Sequence, residues 1–183
     1  MRERIGPRGM VTVRVLDEKG RVKEFRRSLL RRMLRLPARR MEFRRHNIIT
    51  RQGDALLADW VAPVPTKTKI TGSTGYLQVG TGWSGVGTKE NTRCNTPVGA
   101  MELMDSTYPK LQAAWGNAGD TTLLYRATFD AGDLNAVGLN EVVLLNGNTT
   151  GAFCLAYAQI APPVTVYSTD TLQVDWAITF NGL

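Results

Sequence analysis

The sequence has a single histidine, His46, and two cysteines, Cys94 and Cys154. A histidine-based catalytic group needs an orienting acid and a nucleophile beside it, and metal sites generally need several ligands. His46 is therefore read as a structural or solvated side chain. Two cysteines outside any paired motif make no disulfide framework and are expected to be buried, idle thiols, which points to synthesis inside a cell. No apolar run approaches the roughly 20 residues of a membrane helix. The N-terminal MRERIGPRGM has no apolar signal core, so no secretion signal is expected either.

Recognisable catalytic patterns are also missing. The segment DAGDLN, with Asp130 and Asp133 and with Asp120 nearby, has some oxygen ligands of a cation loop but lacks its spacing and terminal bidentate Glu. It reads as a turn closed by its own Asp and Asn side chains. The run GTGWSGVG lacks the Lys-Ser/Thr ending of a phosphate-binding loop, and no clear helix comes after it. Paired carboxylates facing one cleft, as a glycan hydrolase needs, cannot be placed from the sequence. No enzyme activity, cofactor or metal is expected.

What the chain does have is polarised charge. Residues 1–53 carry 17 Lys and Arg against 5 Asp and Glu, whereas residues 54–183 carry 6 against 11. The net +7 thus conceals a +12 front and a −5 remainder. The density peaks in twenty residues containing Arg26, Arg27, Arg31, Arg32, Arg35, Arg39, Arg40, Arg44 and Arg45. Guanidinium forks pair bidentately with carboxylates and phosphates, so this segment suits an acidic protein surface, nucleic acid or an anionic membrane. Only Phe25 and Phe43 interleave it, which disfavours stacking on single strands. Ser28 is placed to cap a short helix stopped by Pro37, with Leu29, Leu30, Met33, Leu34 and Leu36 on its apolar side. In the docking reading, Leu30, Met33 and Leu34 fill a groove while the arginines pair at its rim.

The remainder reads as short strands. Residues 10–16 (MVTVRVL) alternate, DEKG is turn chemistry, and residues 22–25 resume an extended pattern, so a β-hairpin is expected. Residues 76–82 (YLQVGTG) form a strand ending in glycines, and residues 83–97 a long surface loop. Residues 98–112 stay ambiguous between loop, strand and short helix. Residues 121–129, 136–145, 152–160 and 172–180 are strands. The second and third are joined by an Asn-Gly-containing loop, and Pro162-Pro163 is expected to interrupt the chain after the third. The fold class is mainly β: an antiparallel β-sandwich that could be jelly-roll-like, with one or two short helices and an extended basic N-terminal arm. The chain accordingly divides into 1–45 (arm, hairpin and helix) and 46–183 (sandwich). A cut after residue 45 should leave the sandwich foldable unless residues 10–25 supply it with a strand.

Between the two parts lies HNIITRQGDALLADWVA, residues 46–62. Asn47, Ile48 and Ile49 end a strand, Thr50 is placed to cap a helix, and Leu56, Leu57, Trp60 and Val61 share one stripe. The helix is expected to plug one end of the β core.

In this order, VTVRVLDEKGRVKE, the N-I-I-T-x-x-G-x-x-L-L-A motif, YLQVGTG, LLYRATFDAG and TLQVDWAITF resemble segments of tailed-bacteriophage virion proteins. The resemblance covers roughly residues 10–25, 46–82 and 121–180, and the ordered co-occurrence carries it. The basic helix and the loop at 83–97 depart from it. It implies a non-enzymatic structural protein of the virion, made in the host cytoplasm, and in the leading reading a capsid decoration protein. The alternatives are a neck, tail or fibre component and, from another class, a nucleic-acid-binding module. The implied partners are the major capsid protein or neighbouring virion proteins and further copies of the chain, a trimer being one such assembly. No membrane partner is implied.

Overall fold

The computed structural model describes residues 7–25, 32–85, 87–112 and 120–181. The alternation at residues 172–180 becomes the strand Thr171–Asn181, in which Leu172, Val174, Trp176 and Ile178 are buried and Phe180 is partly exposed. Eight further strands join it. In chain order the elements are β1 (Arg8–Leu16), β2 (Glu42–Ile49), α1 (Arg51–Trp60), β3 (Tyr76–Gly80), β4 (Pro97–Leu103), β5 (Lys110–Leu111), β6 (Asp120–Phe129), β7 (Ala136–Leu145), β8 (Cys154–Val166) and β9 (Thr171–Asn181). Strand β3, the second half of β7 and the first half of β8 are buried on successive residues rather than alternately. All pairings are antiparallel, in the order β4-β3-β7-β8-β2-β1-β9-β6-β5.

The mainly β architecture is therefore present as one curled sheet. Two features make the curl. The N-terminal part of β2 pairs with β1, from Arg14↔Glu42 to Met10↔His46, and its last three residues pair with β8. The strand changes neighbours between His46 and Asn47. At the far side, Asp105, just beyond β4, donates its N–H to the Arg126 carbonyl of β6 at 2.9 Å. Strands near opposite ends of the order are thus brought together, and side chains from β1, β2, β3, β6, β7, β8 and β9 share one core.

The ambiguous stretch at 98–112 resolves into β4 and β5, which lie at opposite ends of the sheet. The expected hairpin exists only in part. The DEKG turn forms, with Gly20 at φ +70° and Asp17 accepting the Lys19 and Arg21 N–H groups. Past a single bridge, Leu16↔Val22, the second arm leaves β1, and Phe25 pairs instead with Arg39. The long partners of β1 are β2 and β9. Residues 10–16 are thus a central strand, and a cut after residue 45 would fall inside β2. Such a cut removes Val11, Val13, Val15 and Phe43 from the core.

Helix α1 forms where the capping pattern placed it. Thr50 Oγ1 accepts the Gly53 N–H at 2.9 Å and donates to the Cys154 carbonyl of β8. Leu56 is buried, and Leu57 and Trp60 pack beside it. Val61 departs from the expected stripe. It is the C-cap and is 85% exposed, because the helix has ended there. Pro162-Pro163 also departs from expectation by lying inside β8. The register passes from Leu139↔Val164 to Glu141↔Gln159, so residues 160–163 oppose Asn140 alone, and the prolines occupy a bulge where no ladder N–H is required.

Candidate functional site

The basic segment begins and ends on the sheet. Phe25 donates its N–H to the Arg39 carbonyl and Met41 donates to Lys23, both in short antiparallel contacts. Phe25 meets the buried Phe43 edge-on, with centroids 6.1 Å apart. Between these anchors lie 13 residues, 26–38, termed the excursion, of which 32–38 are described. Arg26, Arg27, Leu30 and Arg31 lie outside the described residues, as do Ser28 and Leu29. Of the expected helix, residues 32–33 are helical. Arg35 N–H bonds to Arg32 at 3.2 Å, and Arg35 adopts φ +52°, the left-handed geometry at which a helical turn stops.

Water meets both kinds of side chain here. Arg32, Arg35, Arg39 and Arg40 are exposed, and so are Met33 at 80%, Leu34 at 59% and Leu36 at 42%. Among the described residues no carboxylate pairs with these four arginines or with Arg45. A stretch that presents three large apolar side chains between exposed guanidinium groups has the composition of an interface core with a charged rim.

Arg44 and Arg45 are different. Both lie in β2, opposite Thr12 and Val11 of β1. Arg44 reaches Glu42 at 2.9 Å and joins a charge ladder across four strands. Glu42 accepts from Arg14 at 3.1 Å, Arg14 pairs with Asp175, and Asp175 accepts from Arg126 at 2.6 Å. The Arg126 guanidinium in turn lies over the Tyr108 ring. The expected docking group thus divides: the side chains of Arg32, Met33, Leu34, Arg35, Arg39 and Arg40 are exposed, Arg45 is exposed on the sheet, and Arg44 is engaged by the sheet itself. Beside the base of the excursion is a cleft of about 690 Å³ lined by Asp17, Arg21, Val22, Lys23, Glu24 and Arg40. Its charges are mostly matched, with Arg21 on Asp17 at 2.8 Å and Lys23 on the buried Asp170 at 2.8 Å.

A second arrangement escaped the sequence. Glu141 of β7 is fully buried, yet four donors meet its carboxylate. Oε1 accepts the N–H groups of Gly82 at 2.8 Å and Thr96 at 3.0 Å; Oε2 accepts the Asn95 N–H at 3.0 Å and the Tyr157 hydroxyl at 2.5 Å. Burial by itself would raise its pKa, but the Thr96, Tyr157, Asn95 and Gly82 donors outweigh burial and hold the carboxyl below its ordinary range. One carboxylate thereby clamps both ends of the long loop, whose Trp83 stacks on Tyr157 with centroids 5.3 Å apart. The signal in the sequence was a lone acid inside the apolar run AVGLNEVVLL. The thiols beside this clamp are buried; burial pushes Cys94 well above the usual range and Cys154 up to about 12, which keeps both protonated. Asp130 and Asp133 close a turn, the Asp130 N–H meeting the Asp133 carboxylate at 2.6 Å. Among the described residues no helix is long and apolar enough to cross a membrane.

The chain matches no protein-family model, and no curated protein and no solved structure is significantly similar to it.

Proposed function

We propose that this chain is a non-enzymatic structural protein of a tailed-phage virion, in the first instance a capsid decoration protein, and that it docks through the excursion between β1 and β2. The observation that carries this reading is the joint exposure of Met33, Leu34 and Leu36 with Arg32, Arg35, Arg39 and Arg40 on a segment anchored at both ends to a rigid sheet. Burying a fully exposed side chain of this size is worth about 1.5–3 kcal/mol, so a partner surface would gain most from covering Met33 and a smaller part from the less exposed Leu34 and Leu36. The arginines set the sign of that partner: an acidic surface, such as the exterior of the major capsid protein or of a neighbouring virion subunit. Repetition on a lattice would make modest individual contacts sufficient.

The test is sedimentation of the purified protein with empty capsids of the phage that encodes it, alongside titration with duplex DNA. The expected result is capsid binding that weakens with added salt and is lost in a variant carrying Arg32→Glu, Arg35→Glu, Arg39→Glu and Arg40→Glu. Salt-sensitive DNA binding without capsid binding would assign the same arginines to nucleic acid instead. Binding to neck or tail assemblies alone would move the protein to that part of the particle.

A further inference from the structure

A second cleft, of about 430 Å³, lies away from the basic excursion, between the β7–β8 hairpin tip and residues 66–76. We propose that it binds a neutral saccharide. Its size falls in the range of about 300–1,000 Å³ typical of small-molecule pockets. Its lining is unusual in chemistry: Thr68, Ser73, Tyr76, Asn148 and Thr149 present hydroxyl and amide groups, and no acidic residue lines it. The side chains of Thr68, Asn148 and Thr149 are exposed and make no hydrogen bond among the described residues, so their donors and acceptors are available to a ligand. The sole lining cation, Lys67, sits over the Phe153 ring at 4.7 Å. An anion would find one cation already engaged, and an apolar ligand would leave the hydroxyl groups unpaired. A sugar offers hydroxyl groups of both hydrogen-bonding senses and a C–H face suited to the half-buried Tyr76 ring.

The walls are fixed before any ligand arrives. Asp59, at the end of α1, accepts from Thr66 N–H at 3.0 Å, Thr66 hydroxyl at 2.7 Å and Lys67 N–H at 2.8 Å. The buried Asn146 donates to the Thr68 carbonyl at 3.0 Å and accepts the Phe153 N–H at 2.6 Å, tying the hairpin to the opposite wall. Thr74 donates to the Lys69 carbonyl at 2.5 Å and accepts the Thr71 N–H at 3.0 Å. Three segments are thus stiffened by contacts that use Thr66, Thr74 and Asn146 and leave the side chains of Thr68, Asn148 and Thr149 available, which lowers the ordering cost of binding.

Titration of the full chain with glucose, galactose, mannose and N-acetylglucosamine, followed by amide chemical shifts, tests the proposal. At least one of these sugars should shift residues 66–76 and 146–153 with a dissociation constant of about millimolar, and the Asn148→Ala, Thr149→Ala double variant should weaken it about tenfold or more. Loss of the basic excursion should leave this binding unchanged, so the two sites fail or stand separately. The proposal is overturned if no neutral sugar shifts these amides at about 50 mM. It is equally overturned if the double variant binds as the parent does, or if glucose 6-phosphate binds more tightly than glucose.

Discussion

Thr50 and Gly53 explain why the N-I-I-T-x-x-G-x-x-L-L-A pattern is spaced as it is. Thr50 closes the helix N-terminus and bonds to β8 at once, while Gln52 accepts the Cys154 N–H at 2.8 Å. Gly53 brings the helix onto β8 so closely that a Cβ there would stand 2.1 Å from the Leu155 carbonyl oxygen. Leu56, one turn on, then fills the core. The Gly53→Ala variant should lose about 1–3 kcal/mol of stability, because backbone rather than a flexible side chain must give way. Thr50→Val should lose about 1–2 kcal/mol through the missing cap. Urea unfolding of both variants measures this. Glu141→Gln addresses the loop clamp: an amide NH2 in the place of Oε2 meets the Asn95 N–H donor to donor, with only the Tyr157 hydroxyl able to turn and accept, and a loss of about 1–3 kcal/mol is expected. The acid dependence has a definite sign. The native carboxyl titrates below the unfolded one, so its contribution is complete above about pH 4.3 and is lost as pH falls through the depressed native value. Between pH 7 and acid, wild type should therefore lose more stability than Glu141→Gln; equal losses would remove the clamp from the account.

Among the elements, the excursion is separable and β1 is not. Phe25 and Arg39 already face each other through a backbone hydrogen bond. Replacing residues 26–38 by Asn-Gly should close that pair as a tight hairpin with the sheet intact. Circular dichroism and the urea midpoint should match wild type, while capsid binding disappears. Deletion of residues 1–45 should instead abolish cooperative unfolding. This contrast marks where the sequence could be read and where it could not. Strand β9 and the β7–β8 hairpin were plain from alternation and turn residues. The helix start was plain from Thr50. Strand β2 was hidden because Arg44 and Arg45 fill positions where a strand usually shows apolar alternation, with Phe43 its one large inward side chain in that half. The continuity of β8 was hidden by prolines whose bulge depends on its partner β7. The Glu141 clamp joins residues as far as 59 positions apart, which no local pattern records. The arginine cluster was visible as composition, but the sheet pairing alone separates Arg44 from Arg39 and Arg40.

Taken whole, the described molecule is a curled sheet carrying an exposed, basic and partly apolar segment at residues 32–40. In the sheet's outer ladder every arginine from Arg44 to Arg126 meets Glu42 or Asp175, whereas among the described residues no carboxylate meets Arg32, Arg35, Arg39 or Arg40. That division is what the virion reading depends on. Cryo-electron microscopy of the intact particle tests it most directly. The account predicts that residues 32–40 of each copy lie against an acidic surface of a neighbouring subunit, with Met33 and Leu34 covered. Density that places those side chains in open solvent, with the chain held to the particle through another face, would contradict it.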